Sequence, residues 1–215
     1  MPSRTQQQAG YTLIELSMVL VIIGLLVAGL LKGSELITQA KLRNTASAFD
    51  NLIMAIQTYQ ERYRTLPGDD NLAQGRWPST ASNGNGDRLI CGAYHGGSGG
   101  TACGGTLTES LQAWQHLRSA GLLPGTGSTS PETAAGGIFG VQYSGLGMSR
   151  HLLCANHLPA TIAGSIDRQL DDGLANDGAI RGSVESGTAD IPASTPSSSA
   201  YVEEGNPLYV LCRSF

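Results

Sequence analysis

The chain opens with a continuous apolar segment that is followed by an amphipathic one. Residues Tyr11 to Leu31 contain one charged side chain, that of Glu15, in 21 positions. As an α-helix this segment spans roughly 31 Å, enough to cross the hydrocarbon core of a bilayer. From Leu36 to Tyr63 apolar residues recur at steps of three and four, the spacing of one helix face. The pattern predicts one long helix that ends before Pro67, because the residue preceding a proline is disfavoured in the helical conformation.

Two ordinary explanations of the apolar segment do not account for its details. A cleaved secretory signal has an apolar core of about 7–15 residues followed by a small-residue cleavage site. This segment is longer, and no such site follows it. A plain membrane anchor explains the length but not Glu15, because a carboxylate inside a span costs about 2.5–3.5 kcal/mol on insertion scales. Such a group needs a partner, and the sequence suggests none within helical reach on this chain.

The remainder of the chain has the pattern of an α+β domain. The predicted elements are helices over residues 107–120 and 160–170, and strands over 138–143, 150–155 and 208–213. Residues 186–200 are rich in Ser, Thr, Pro and Ala, and residues 92–105 are rich in Gly. Both stretches are therefore predicted to be loops.

Charge and composition narrow the possible functions. The 13 basic and 17 acidic residues give a net charge of −4, and residues 64–215 alone carry 8 basic and 13 acidic side chains. An acidic surface makes nucleic-acid binding a poor expectation, although a local patch of Arg150, Arg181 and Arg213 stays open. Neither a His-Glu-x-x-His motif nor a phosphate-binding loop is present. The sequence therefore indicates a folded protein without a recognisable catalytic motif.

A short motif stands at the start of the apolar segment. Residues 9–15 read Ala-Gly-Tyr-Thr-Leu-Ile-Glu, and fourteen apolar, small or hydroxylic residues follow. This combination resembles the N-terminus of type IV prepilins and type II secretion pseudopilins. In that family the prepilin peptidase cleaves after the glycine, the new N-terminal residue is N-methylated, and a glutamate is the fifth residue of the mature chain. The resemblance implies cleavage between Gly10 and Tyr11, methylation of Tyr11 and a role in assembly for Glu15.

The resemblance also implies a partner for Glu15. Cleavage after Gly10 creates an ammonium group at Tyr11, and the amine of one subunit can pair with Glu15 of its neighbour when the apolar helices pack in a filament. An opposite charge offsets the desolvation of a buried carboxylate. We therefore expect Glu15 to set the axial register of the subunits. Many pilins carry a proline further along this helix, where this chain has Lys32, so local melting of the helix on assembly is left open.

Further segments of the chain resemble a recurring group of pilin-like proteins. They are Tyr63–Asp69 (Tyr-x-x-Leu-Pro-Gly-Asp), Asn83–Asp87 (a glycine-rich Asn/Asp loop), Glu109–Leu117 (Glu-x-x-x-x-Trp-x-His-Leu) and the late helix and turn around Ile166–Gly173. These segments support the family without indicating a specific role. Within the third segment, Trp114 and His116 are expected to be one buried and one exposed residue of an amphipathic helix.

The resemblance implies a division of the chain into four parts. Residues 1–10 are the leader, 11–31 the transmembrane and filament-core part of the helix, 32–65 its amphipathic part, and 66–215 the globular head. The implied fold is the α+β pilin ladle, a long N-terminal helix packed on an antiparallel β-sheet head with long loops. The implied location is the bacterial inner membrane, crossed once with the head outside the cytoplasm, and then a pilus or pseudopilus.

Four cysteines, Cys91, Cys103, Cys154 and Cys212, allow three pairings. An even count in an extracytoplasmic domain favours disulfides. Pairing each cysteine with its neighbour in sequence gives Cys91–Cys103 and Cys154–Cys212. The second of these would staple the C-terminal segment, as pilins commonly do.

Two groups of residues raise the question of a metal. His151, Cys154 and His157 match no standard zinc spacing, and we expect the two histidines to be polar residues at a strand edge. Some pseudopilins bind calcium in a C-terminal loop, and oxygen ligands cluster late in this chain: Asp167, Asp171, Asp172, Asn176 and Asp177. Because the EF-hand order is absent, we favour local hydrogen bonds at a helix end and turn for these residues. The sequence predicts no cofactor, with calcium as the alternative.

The sequence therefore predicts a structural subunit of a type IV pilus-like filament, used for adhesion, motility, DNA uptake or secretion, and not an enzyme. A type II secretion pseudopilin is the alternative within the same family. A membrane-anchored extracytoplasmic protein whose N-terminus only mimics a prepilin is the alternative outside it. The partners that the resemblance implies are the prepilin peptidase, other pilin subunits, an inner-membrane assembly platform and, before assembly, the membrane, with no nucleic acid expected.

Overall fold

The computed structural model describes residues 12–96, 108–186 and 191–215. The elements follow in the order α1 (Leu13–Tyr63), α2 (Ala73–Arg76), α3 (Glu109–Ser119), β1 (Phe139–Gly145), β2 (Met148–Pro159), α4 (Ala160–Leu170), β3 (Ile180–Val184) and β4 (Leu208–Ser214). The chain divides into two compact units, Met1–Ala40 and Lys41–Phe215. The predicted α+β class, with a long N-terminal helix followed by an antiparallel sheet, is confirmed.

In the first unit, the described residues 12–40 belong almost entirely to helix α1. The large apolar side chains between Leu13 and Leu31 are exposed. The most apolar 18-residue window has a mean hydropathy of 2.6 and buries none of its residues, and by length and composition α1 is the one helix in the described ranges that could cross a membrane. An unburied apolar surface of this length needs lipid or other protein chains to cover it.

In the second unit, the last part of α1 contributes to the core. Phe49, Ile53, Ile56 and Tyr59 are buried at steps of four, three and three residues, as expected for one face of a helix. The helix ends at Tyr63, a little before the predicted break at Pro67. It ends there because Arg64 adopts a left-handed conformation (φ 59°) and donates its N–H to the carbonyl of Gln60 at 2.8 Å, a common way to close a helix.

The sheet is antiparallel throughout, with the strand order β1-β2-β4-β3. Alternation along the strands divides the buried side chains between two faces. Leu153 and Leu211 belong to the main core with α1, α3 and α4, whereas Leu152 and Val210 belong to a smaller apolar cluster with Tyr94. The loop before β4 returns the chain so that β4 lies between β2 and β3, and β2 becomes an internal strand.

The structure adds two elements that the sequence did not predict, the short helix α2 and strand β3. Strand β3 was not predicted because its central Gly182 weakens the strand pattern. The predicted helix over 160–170 is α4, and the predicted strands lie within β1, β2 and β4 except for Ile138, which forms an isolated bridge with Glu132. The described parts of the predicted loops, residues 92–96, 186 and 191–200, contain no helix or strand.

Candidate functional site

The N-terminal motif begins helix α1 with a reciprocal pair of hydrogen bonds. The backbone N–H of Thr12 donates to the Glu15 carboxylate at 3.3 Å, and the N–H of Glu15 donates to the Thr12 hydroxyl oxygen at 3.3 Å. The Thr12 hydroxyl also lies 3.2 Å from the same carboxylate oxygen. This is a capping box, in which two N–H groups without helical partners are satisfied. The expectation that Glu15 has no partner within helical reach was therefore wrong, because its partner lies one turn before it.

The capping box leaves the charge of Glu15 uncompensated. Thr12 supplies hydrogen-bond donors but no cation, and the positive end of the helix dipole stabilises a carboxylate only modestly, by about 0.3–1 kcal/mol at an exposed position. The predicted cleavage and methylation residues, Gly10 and Tyr11, lie outside the described residues. The pairing of Glu15 with the Tyr11 amine of another subunit therefore stays a prediction.

In the head, two of the family-like segments meet at His116. The N–H of Gly68 donates to Nδ1 of His116 at 2.9 Å, and Nε2 of His116 lies 2.7 Å from the carbonyl oxygen of Ser82. Since Nδ1 accepts, Nε2 carries the proton, and the imidazole is the neutral tautomer. Burial lowers the pKa of His116, which favours the same neutral form.

The prediction that one of Trp114 and His116 would be exposed was wrong, because both are fully buried. Helix α3 packs its apolar side on the core and is covered on its polar side by the loops around Gly68 and Ser82. A polar side chain can be buried there because both of its ring nitrogens have partners.

Two buried carboxylates hold the glycine-rich loop that contains Asn85 and Gly86. Glu109 accepts the N–H groups of Asn85 and Cys91, each at 2.9 Å. Asp69 accepts the N–H groups of Gly86 at 2.7 Å and Arg88 at 2.8 Å. Burial raises the pKa of both carboxyl groups, and these backbone donors act in the opposite direction. The carboxylates thus organise the loop, and each oxygen already has a donor.

A third buried carboxylate ties α1 to the short helix α2. The hydroxyl of Tyr59 donates to Asp70 at 2.6 Å, and the Arg76 guanidinium forms an ion pair with the same carboxylate. The Arg76 guanidinium also lies over the ring of Tyr63, 4.8 Å from its centre. Tyr59, Asp70 and Arg76 therefore form a structural network that holds α2 against the end of α1.

Comparison with known families identifies the N-terminal part of the chain. Residues 5–31 match the model described as the prokaryotic N-terminal methylation motif. The chain carries the hallmark of the type IV pilin and pseudopilin family. This motif implies processing by a prepilin peptidase and assembly with other pilin subunits, and the family is structural rather than enzymatic. The comparison with curated proteins gives no match.

In the head, a disulfide joins Cys154 of β2 to Cys212 of β4. The two residues are direct partners in the strand register, so the bond links β4 to the strand beside it. Cys91 is also disulfide-bonded, and its predicted partner Cys103 lies outside the described residues. The pairing Cys91–Cys103 therefore stays a prediction.

The candidate calcium ligands lie partly together. Carboxylate oxygens of Asp167, Asp171 and Asp172 approach one another closely enough to hold an ion, and Asp177 is not in this group. Asp171 accepts the N–H groups of Ala179 and Ile180, and the other two accept N–H groups of the turn that follows α4. These bonds are the local arrangement that the sequence favoured, and calcium binding stays a prediction without test.

A second close group, Asp87, Cys91 and Glu109, offers poor ligands. A disulfide-bonded sulfur is not the thiolate that metals require, and both oxygens of Glu109 already accept backbone N–H groups. We therefore assign no metal to it.

His151 does not lie at a sheet edge, because β1 and β4 both flank β2 at that position, whereas His157 lies beyond the last residue of β2 that pairs with β1. His151 is half-buried, whereas His157 is exposed at a register irregularity with φ 61°. The arginine patch considered for nucleic acid is divided. Arg150 and Arg181 line one cavity, whereas Arg213 forms an ion pair with Asp50 of α1 at 2.5 Å.

Proposed function

We propose that this protein is a structural subunit of a type IV pilus-like filament, processed after Gly10 and assembled through its N-terminal helix. One observation carries the proposal: the methylation motif of residues 5–31 leads directly into a helix whose apolar side chains are unburied. In a soluble domain this apolar surface would be exposed to water. A bilayer would cover it before assembly, and neighbouring helices would cover it afterwards.

The start of α1 supports assembly over simple anchoring. A capping box explains a carboxylate in the first turn of any helix, but burying that charge costs several kcal/mol unless it is paired. Processing would place a new amine four residues before Glu15, and the amine of an adjacent subunit would supply the missing positive charge. Glu15 thus sets the axial register between subunits, and its hydrogen bonds to Thr12 cap the start of the helix within each subunit.

The head fits the exterior of a filament, outside the cytoplasm. Its C-terminal strand is linked by the Cys154–Cys212 disulfide, and such bonds persist in oxidising compartments. Three of its buried polar residues, Asp69, Glu109 and His116, hold loops. We infer a structural role and no catalytic one, with the prepilin peptidase, other pilin subunits and an inner-membrane assembly platform as partners.

The proposed function is tested by processing and fractionation. We expect the intact mass of the native chain, measured in membranes and in sheared surface filaments, to correspond to loss of residues 1–10 and methylation of Tyr11. Gly10→Val should leave the unprocessed chain in the membrane, whereas Gly33→Val, the same change outside the motif, should be processed normally.

The distribution of the processed form distinguishes the alternatives. Abundance in the sheared fraction supports a pilus subunit, and confinement to the membrane supports a type II secretion pseudopilin. An unprocessed mass in both fractions would contradict the proposal and leave a membrane-anchored protein.

A further inference from the structure

A cleft with a volume of about 670 Å³ lies in the second unit, beside the end of α1. Its walls come from three separate parts of the sequence. These are the end of α1 with the residues after it, the glycine-rich loop, and His151 of β2 with the adjacent Phe215. Arg64, Arg88 and His151 line it together with the apolar side chains of Leu66 and Phe215. This volume is within the range of small-molecule sites, about 300–1,000 Å³. The proposed filament function makes no use of this cleft.

The two arginines of the cleft have no side-chain partner in the part of the chain that the structure describes. Arg76, Arg181 and Arg213 of the same unit each pair with a carboxylate, whereas Arg64 and Arg88 are exposed to solvent. The head has an excess of acidic residues, so unpaired guanidinium groups are not a result of too few carboxylates. Two cations that line one cleft and form no ion pair favour an anionic occupant.

The backbone at both arginines is unusual in the same way. Arg64 has φ 59° and Arg88 has φ 69°, values that glycine adopts readily and longer residues rarely. Glycine would relieve both positions, yet the chain carries a long cation at each. Such conformations are often found at functional sites.

The one carboxylate in the cleft wall, that of Asp69, does not neutralise the arginine side chains. One of its oxygens accepts the N–H of Gly86 and the other accepts the backbone N–H of Arg88. Asp69 therefore fixes the loop that carries Arg88 and leaves the guanidinium group available.

His151 adds a third potential donor or acceptor. Its ring packs between Tyr143, at 5.2 Å between ring centres, and Phe215, at 5.9 Å. Its Nε2 is buried and has no hydrogen-bond partner. The imidazole as a whole is half-buried and lines the cleft.

We propose that this cleft binds a small organic oxyanion, with the guanidinium groups of Arg64 and Arg88 holding its oxygens and the imidazole of His151 as a further polar group in the wall. The planar forks of arginine match the oxygens of carboxylates and phosphates. Leu66 and Phe215 provide an apolar wall for a ring-sized body. The head would thereby bind an acidic group, carried either by a dissolved molecule or by a surface that the filament contacts, in addition to its structural role.

Calorimetric titration of the full processed chain in a nonionic detergent tests this proposal. The probes are phenyl phosphate and benzoate, with benzyl alcohol as the uncharged control. Binding of phenyl phosphate alone indicates a phosphate site, and binding of benzoate alone indicates a carboxylate site. Binding of both indicates a site that accepts either anion. No binding of either anion at millimolar concentrations, or equal binding of benzyl alcohol, would overturn the proposal.

Variants locate the site. Arg88→Gln and Arg64→Gln should each weaken Kd by about tenfold, the loss of one hydrogen bond to a charged group. His151→Phe should also weaken binding while retaining the ring between Tyr143 and Phe215. Arg150→Gln is the matched control: it removes the same charge next to His151 in sequence but from another cavity, and should leave Kd unchanged.

Arg64→Gly separates binding from folding. Glycine relieves the left-handed backbone, so Tm should rise or stay constant while affinity falls as it does in Arg64→Gln. If Arg64→Gly binds like the unaltered chain, or if Arg150→Gln weakens binding as much as Arg88→Gln does, the cleft is not the site and the proposal is wrong.

Discussion

The hydroxyl of Tyr201 donates a 2.5 Å hydrogen bond to the carboxylate of Asp167 inside the head. Tyr201 lies in the long loop before β4, and Asp167 lies on α4. A side chain at Gly164 or Gly182 would contact the Tyr201 ring, so these two glycines leave the space that the ring occupies. The bond thus connects the C-terminal loop to α4, and the Tyr201 ring packs against β3 at Gly182.

This pair makes stability depend on pH in a particular direction. Asp167 is fully buried, and burial is the main reason that its pKa is raised to about 6. Because the folded protein holds this proton more tightly than the unfolded chain does, the contribution of Asp167 to stability is complete below about pH 4. It is lost as the pH rises to about 6.

Asp167→Asn should remove this dependence. Between pH 4 and pH 6, the free energy of unfolding of the unaltered chain should fall relative to that of the variant, by at most about 3 kcal/mol. Chemical denaturation of the processed chain at a series of pH values measures the difference. Asp177→Asn alters an exposed carboxylate of the same region and should show the same pH dependence of unfolding as the unaltered chain. If Asp167→Asn also showed that dependence, Asp167 would not be its cause.

The space around the Tyr201 ring predicts which glycines tolerate a methyl group. Gly182→Ala should lower the free energy of unfolding by about 1–3 kcal/mol, because the new methyl group and the ring cannot both fit without displacement. Gly75→Ala, at a position with open space, should have little effect or raise stability slightly. Thermal unfolding of the two variants compares them, and equal stability would contradict the packing of the Tyr201 ring against Gly182.

The Cys154–Cys212 disulfide should be a large contributor to the stability of the head. It closes a loop with a sequence separation of 58 residues, for which the chain-entropy estimate is about 4 kcal/mol. The double change to serine should lower the denaturation midpoint strongly under oxidising conditions, and added reductant should reduce the difference from the unaltered chain.

Peptide mapping without reduction checks both disulfides at once. We expect Cys91 to appear linked to Cys103 and Cys154 to Cys212. A peptide that joins Cys91 to either of the other two cysteines would contradict the pairing.

The two roles of Glu15 are separable by comparing it with Thr12. Glu15→Ala and Glu15→Gln should reduce the amount of filament, because both remove the charge that pairs with the Tyr11 amine of the neighbouring subunit. Thr12→Ala keeps that charge and removes only hydroxyl bonds of the capping box, at about 0.5–2 kcal/mol of helix stability. It should assemble nearly normally, as measured by immunoblotting sheared filaments against total protein.

Normal assembly of Glu15→Ala would refute the charge-pairing role. If Thr12→Ala failed to assemble as completely as Glu15→Gln, the capping box itself would be the essential feature. Processing should be measured in each variant, so that a loss of filament is not confused with a loss of cleavage.

The sequence alone determined the features that depend on neighbouring residues. The apolar run from Tyr11 to Leu31 and the motif at Gly10 to Glu15 were readable because helix periodicity and a peptidase site are local properties. Helix α4 was predicted with the same bounds for the same reason.

The tertiary structure decided what depends on distant parts of the chain. The burial of His116 follows from loops that cover α3, and strand β3 forms against β4 despite its glycine because Tyr201 fills the space beside Gly182. The cleft brings Arg64, Arg88 and His151 to one surface although long stretches of sequence separate them. Each of these arrangements needs contacts between distant segments, and no local pattern of residues encodes them.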